Sequence, residues 1–202
     1  MTLSNPYRSA HYTTSATKLS NLPIDEGAEV AFAGRSNAGK SSAINTVTEQ
    51  KSLARTSKTP GRTQMINFFE INPHQRLVDL PGYGYAKVPE KMKIQWQNTL
   101  GQYLSTRKAL IGLILIMDCR HPLKPFDIQM AKWANQATLP LHILLTKADK
   151  LKRGAAITTL KQVDKDLEQH HITATSQLFS SHNQQGKIDA VSQLNQWFNA
   201  SL

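Results

Sequence analysis

The sequence predicts an α/β fold: a doubly wound, three-layer domain whose sheet is mostly parallel, with one antiparallel edge hairpin. Three observations carry this. Short apolar runs alternate with stretches of helical periodicity along nearly the whole chain. The run from Ala109 to Met117 is interrupted only by Gly112, and its length suits a buried central strand. The run Val30-Ala31-Phe32-Ala33 breaks into GRSNAGKSS (34–42) and then turns helical. At 202 residues the chain has room for one domain with small extensions. The expected division is an N-terminal extension over 1–25 packed on a single domain over 26–202.

Taken in order, residues 1–24 hold no acidic residue and are rich in Ser and Thr, a composition reminiscent of a transit peptide. Against that stand a lone arginine, Arg8, and a first strand expected near Glu29; no apolar core of a secretion signal is present. A helix is expected from Ser42 to Glu49. Lys51 to Thr63 reads as a polar loop with a Pro60-Gly61 corner. Gln64 to Ile71 and Arg76 to Leu80, joined by the Asn72-Pro73 turn, form the expected hairpin. From Pro89 to Lys108 the residues Met92, Trp96, Leu100, Tyr103 and Leu104 share one helical face. Further on, strands are expected at Leu110–Met117, Leu139–Leu145 and Ser176–Phe179. Helices are expected at Phe126–Gln136 and Ala155–His170. A last helix is defined by Ile188, Val191, Leu194 and Phe198.

Bulk properties narrow the function classes. The 24 Lys and Arg outnumber the 14 Asp and Glu, a formal charge of +10. Such a balance draws a protein to nucleic acid, and no amphipathic membrane helix or polybasic tail accompanies it. No apolar run approaches the ~20 residues that span a bilayer. The single cysteine, Cys119, excludes an internal disulfide and reads as a small buried thiol. The pair His170-His171 lacks a second cluster at ligand spacing and reads as a solvated helix end.

The strand–Gly-x4-Gly-Lys-Ser–helix pattern is the phosphate-binding P-loop. Gly34 and Gly39 let backbone N–H groups approach phosphate oxygens, Lys40 supplies a point charge for the β- and γ-phosphates, and Ser41 supplies a hydroxyl for Mg²⁺. Arg35, Ser36, Asn37, Ala38 and Ser42 make up the rest of that stretch. Asp79-Leu80-Pro81-Gly82 closes an apolar strand, so Asp79 can hold Mg²⁺ through water and Gly82 can offer its N–H to a γ-phosphate. In Thr146-Lys147-Ala148-Asp149, the Asp149 carboxylate matches the two donors of a guanine edge, which adenine lacks, while the Lys147 stem covers the base. Ser180-Ser181 follows the last strand and places backbone N–H groups near the guanine carbonyl. A switching hydrolase also needs a threonine on a movable loop; Thr56, Thr59 and Thr63 qualify by type, and Thr63 is best placed.

These stretches together, GRSNAGKSS (34–42), TPGRTQ (59–64), VDLPGYGYAKV (78–88), TKAD (146–149) and FSS (179–181), resemble the EngB (YihA/YsxC) family, within the TrmE-Era-EngA-EngB-like GTPases of the translation-factor class. The resemblance implies a Ras-like P-loop GTPase domain and a monomeric, cytoplasmic, Mg²⁺-dependent enzyme. It further implies a role in assembling the large ribosomal subunit, with a link to cell division and septation. Carried over by position, it implies Mg²⁺ ligands Ser41 and Thr63 and nucleotide contacts at Gly34–Ser41, Gly61, Arg62, Thr63, Gln64, Met65, Asp79–Gly82, Thr146–Asp149 and Phe179, Ser180 and Ser181. The groups expected to act in hydrolysis are Lys40, Thr63 and Gly82.

Two departures from the general GTPase pattern stand out. Thr146 replaces the more usual Asn, and Tyr83 stands where signalling GTPases carry a water-orienting Gln, so slow intrinsic hydrolysis is expected. Asn37 resembles the P-loop asparagine of GTPases that use K⁺. The basic residues Lys51, Arg55, Lys58, Arg62, Lys87, Lys91 and Lys93 gather near the two candidate switch segments, a charge suited to the large ribosomal subunit precursor and its RNA. Other readings of the same motifs are a signalling switch that recruits a protein effector and a nucleotide-sensing RNA-binding module with negligible turnover.

Overall fold

The computed structural model describes residues 5–54, 65–84 and 90–201, with the side chains of residues 90, 92 and 93 also outside the description. Seven strands form one sheet: β1 (His11–Ala16), β2 (Ala28–Gly34), β3 (Ile66–Asn72), β4 (Gln75–Asp79), β5 (Leu110–Asp118), β6 (Leu141–Thr146) and β7 (Thr175–Leu178). Five helices flank it: α1 (Lys40–Val47), α2 (Glu90–Thr106), α3 (Pro125–Gln136), α4 (Arg153–Gln169) and α5 (Lys187–Ala200). The spatial order is β1-β3-β4-β2-β5-β6-β7. From β4 to β7 all pairings are parallel, and β3–β4 is the expected antiparallel hairpin.

One strand was not expected. Residues 11–16 run antiparallel to β3, with His11 opposite Glu70 and Ala16 opposite Ile66, so β1 rather than the hairpin forms the sheet edge. The segment HYTTSA gives no apolar alternation because most of it stays in solvent, with only Ala16 fully buried. The extension reaches further. Tyr7 is buried against Phe198 of α5, with ring centroids 6.0 Å apart, and donates its hydroxyl to Asn195 Oδ1 at 2.8 Å. Gln50, just past α1, donates to Ala10 O at 2.6 Å.

The sheet separates two apolar layers. Ala31, Leu113, Leu115 and Leu145 face α2, α3 and α4; Val30, Phe32, Ile114 and Ile116 face α1 and α5. Alternate residues of a strand point to opposite faces, so a run buried throughout must be covered on both sides. Strand β2 is buried at every residue and meets that requirement. Helix α2 buries Leu100, Tyr103 and Leu104 as its periodicity requires; Met92 lies outside the described side chains. Ile188, expected on the buried face of α5, is instead 82% exposed. It precedes Leu194 by six residues, about one and two-thirds turns, which carries it off the face of Ala190, Leu194 and Phe198. A Cβ added at Gly101 would lie 3.6 Å from the Trp133 ring, and one added at Gly112 would run into the Trp197 ring, so both indoles serve packing. Among the described residues no helix is long and apolar enough to cross a membrane.

Candidate functional site

Parallel strands deliver their C-terminal ends to one rim, where an open α/β sheet binds its ligand. The loops after β4, β2, β6 and β7 meet there, bringing together residues 34–42, 78–84, 146–149 and 179–181. Residues 85–88, including Lys87, and 59–64 lie outside the described residues, with Thr56 and most of the basic loop. Met65 is described, half-buried at the entry to β3.

The P-loop leaves β2 at Gly34 and enters α1 through Gly39, whose φ of 102° is left-handed and favours glycine. A Cβ there would also lie 3.3 Å from Thr146 Oγ1. Thr146 is buried, and its hydroxyl lies against Ala38 O and, at 3.0 Å, Met117 O. The threonine therefore ties the P-loop to the β5 end, and its departure from Asn serves the loop. Asn37, at φ 62°, is exposed, and its carbonyl accepts Lys147 Nζ at 2.6 Å.

Lys40 Nζ is ion-paired with Asp79 Oδ1, both side chains about one-tenth exposed. Asn67 Nδ2 approaches Asp79 Oδ2 at 3.5 Å. The P-loop cation and the strand-end carboxylate thus meet at one point, with Ser41 next along the chain. Ser41, Asp79 and the phosphates offer hard oxygen donors, and among the described residues no group of three His, Cys, Asp or Glu could hold a metal. That chemistry fits Mg²⁺, which keeps waters and binds one or two protein oxygens plus phosphate, and does not fit a caged transition metal.

On the adjacent loop Lys147 is left-handed at φ 59°, and its ammonium lies 3.0 Å from Asp118 Oδ2. Arg120 grips the same carboxylate through Nε at 2.9 Å and Nη2 at 2.7 Å. Burial pushes Asp118 upward, but the bonds from Arg120 and Lys147 outweigh it and hold the carboxyl well below the usual range. The Lys147 stem is thereby anchored at two points. Sequence reasoning missed Asp118, although its signal was present: like Asp79, it closes a buried strand.

Asp149 accepts the Ser180 hydroxyl at 2.6 Å and pairs with Lys150 at 3.2 Å. The Ser180 bond is the main reason its carboxyl sits below the ordinary range. The Ser180 N–H donates to Gln185 O at 3.0 Å. The hydroxyl of Ser180 thus holds Asp149, while its amide is engaged within its own loop. Leu80, Pro81, Ala148 and Phe179 are buried. Ala148 N–H donates to Phe179 O at 3.1 Å, locking the two base-side loops together.

Residues 29–147 match the family model described as 50S ribosome-binding GTPase. The protein named probable GTP-binding protein EngB from Nitrosococcus oceani is 58% identical over 192 residues, covering 95% of this chain and 96% of that one. Its namesake from Coxiella burnetii strain RSA 331 is 54% identical, covering 95% and 94%. The chain belongs to the EngB family of GTP-binding proteins. Among solved structures, a probable GTP-binding protein engB superposes with a TM-score of 0.70 at 19% identity, covering 86% of this chain and all of that one. Era in complex with MgGDPNP and nucleotides 1506–1542 of 16S ribosomal RNA gives 0.61 at 18%, covering 85% and 57%. At these identities the structural likeness shows the P-loop GTPase fold. Membership of the EngB family makes GTP and GDP the expected ligands of this rim and GTP hydrolysis its expected reaction.

Proposed function

We propose that the protein is a Mg²⁺-dependent GTPase with weak intrinsic turnover that assists assembly of the large ribosomal subunit in the cytoplasm as a monomer and is needed for normal cell division and septation. Its GTP-binding domain spans residues 26–202, with residues 1–25 as an extension. The observation that carries the nucleotide reading is the pairing, on one rim, of a phosphate end at Lys40 and Asp79 with a base end at Asp149 oriented by Ser180.

In this reading Gly34–Ser42 cradle the phosphates, Lys40 moves from Asp79 onto the β- and γ-oxygens, and the Gly82 amide meets the γ-phosphate. Asp149 accepts both donors of the guanine edge, the Lys147 stem covers the base, and Ser181 N–H meets its carbonyl. Ser41, Asp79 (through water) and Thr63 would hold Mg²⁺, which supplies charge neutralisation at the phosphates. Tyr83 orients no water, since its hydroxyl is committed to Asp127 at 2.6 Å, which supports slow turnover. Asn37 at the exposed bend of the P-loop is the proposed K⁺-side residue; equal GTP turnover in potassium and sodium buffers would remove it.

The ribosomal partner is supported by the family description, by the RNA complex of Era and by the charge of +10. Lys51 and Lys91 are exposed and available to phosphates. Sedimentation with large ribosomal subunits, with GDP or a non-hydrolysable GTP analogue, tests the reading. The expected result is analogue-dependent binding that weakens steeply with salt. Nucleotide-independent binding, or binding to a protein effector alone, would sink it.

A further inference from the structure

Tyr83 follows the Asp79–Gly82 stretch, and nothing in the phosphate or base reading gives it a task. Yet it is held at several points. Its N–H donates to Gly34 O at 3.3 Å and its carbonyl accepts Ser36 N–H at 2.8 Å, forming a parallel bridge with Arg35. Its ring meets Phe126 edge-on at 4.5 Å. Its hydroxyl donates to Asp127 Oδ1 at 2.6 Å in a fully buried bond. The other Asp127 oxygen accepts Lys124 N–H at 2.9 Å at the start of α3. Burial pushes the Tyr83 phenol far above its ordinary value, so it stays a donor. Next to it, Gly84 is left-handed at φ 77°, and a Cβ there would lie 2.9 Å from Arg35 Nε. The P-loop, this loop and α3 therefore close around one tyrosine.

The consequence falls on Gly82. Upstream, Leu80 N–H is tied to Phe32 O at 2.9 Å, and Pro81 has its φ locked by the ring. Downstream, residue 83 is fixed through backbone, ring and hydroxyl. Gly82 lies between these two anchors, so the direction of its N–H depends on residue 83 as well as on Pro81.

We propose that Tyr83, through its buried bond to Asp127, is a positioning residue that aims the Gly82 amide at the γ-phosphate and so sets the affinity for GTP relative to GDP. This rests on the reading of Gly82 as a γ-phosphate contact. GDP lacks the group in question, so the anchor affects one nucleotide and spares the other.

The test measures dissociation constants for GDP and for a non-hydrolysable GTP analogue on the full chain, with melting of the GDP-bound protein as a folding check. Tyr83→Phe deletes one charge-assisted bond and is expected to weaken the analogue about tenfold while GDP stays within about twofold. Asp127→Ala is expected to behave alike. Asp127→Asn keeps an acceptor for the hydroxyl and is expected to retain analogue affinity despite a weaker helix cap. Gly82→Ala serves as the control for the underlying reading and is expected to lose the analogue selectively. If Gly82→Ala is selective but Tyr83→Phe weakens both nucleotides equally or neither, the positioning role is overturned alone. If Gly82→Ala is unselective, the γ-phosphate reading of Gly82 falls and the role of Tyr83 falls with it.

Discussion

Strand β2 has a charge cluster at each end, and the two are built on opposite principles. At its start Glu29 is fully buried. Arg107 grips it through Nε at 2.9 Å and Nη2 at 2.7 Å, Arg76 adds Nε at 3.1 Å, and Tyr103 donates its hydroxyl at 3.2 Å. Arg107 also donates to Pro23 O at 2.8 Å and Ile24 O at 3.2 Å. Among the described residues no buried side-chain nitrogen or oxygen there lacks a partner, and the network clasps residues 23–26 to β2 and the end of α2. At the other end, Lys40 and Asp79 pair at the rim, with Asn67 Nδ2 beside the second Asp79 oxygen among the described residues. The saturated cluster has nothing left to offer a ligand. In the proposed nucleotide complex, Lys40 would exchange Asp79 for phosphate oxygens and Asp79 would be free to hold hydrated Mg²⁺. Buried charge marks function where its pairing is incomplete, and architecture where it is closed.

The largest effect expected to break this contrast is at the closed end. Arg107→Met leaves Glu29 buried with only Arg76 and Tyr103 and should lower the unfolding free energy by about 3–5 kcal/mol in urea titration. Nucleotide affinity of the folded protein should be unchanged; a parallel loss would show that the two ends are coupled. Lys40→Ala should do the reverse. It weakens GTP about a hundredfold by calorimetry, because a charge-assisted phosphate contact is lost, and costs less than half the stability lost in Arg107→Met.

Ser180→Ala sharpens the comparison at the base end, with about tenfold weaker GTP binding and little change for ATP. It also has a pH signature. Asp149 has a carboxyl lowered in the folded chain, so its contribution to stability is complete above the unfolded value and lost only as pH falls through the lower folded one. GTP preference over ATP should hold from about pH 8 to about pH 5 in the native protein. In Ser180→Ala, where the carboxyl rises toward its ordinary value, the preference should start to fall at a higher pH than in the native protein. The smallest effect concerns Cys119. Burial, followed by the nearby Asp118 charge, pushes its thiol up to about 11. Alkylation at about pH 8 should be slow against a free thiol, and fast labelling would show that the β5 end opens.

Most of the α/β architecture was legible because burial of a strand on both faces, or of a helix on one, writes a period into the residues themselves. Strand β1 was not, because an exposed edge of Ser and Thr needs β3 beside it before it becomes a strand. Ile188 misled because apolar character was read without its angle on the helix.

By itself the sequence determined the strand–loop–helix pattern, the Asp79–Gly82 and Thr146–Asp149 stretches and the family they signify, since phosphate and guanine chemistry demands particular residue types at particular spacings. Only the tertiary structure decided that Thr146 braces the P-loop, that Ser180 orients Asp149 through its hydroxyl, and that Tyr83 turns away from the rim into α3. Those are contacts between residues 31 to 108 positions apart, and no local pattern encodes a partner that distant until the sheet brings it within a hydrogen bond.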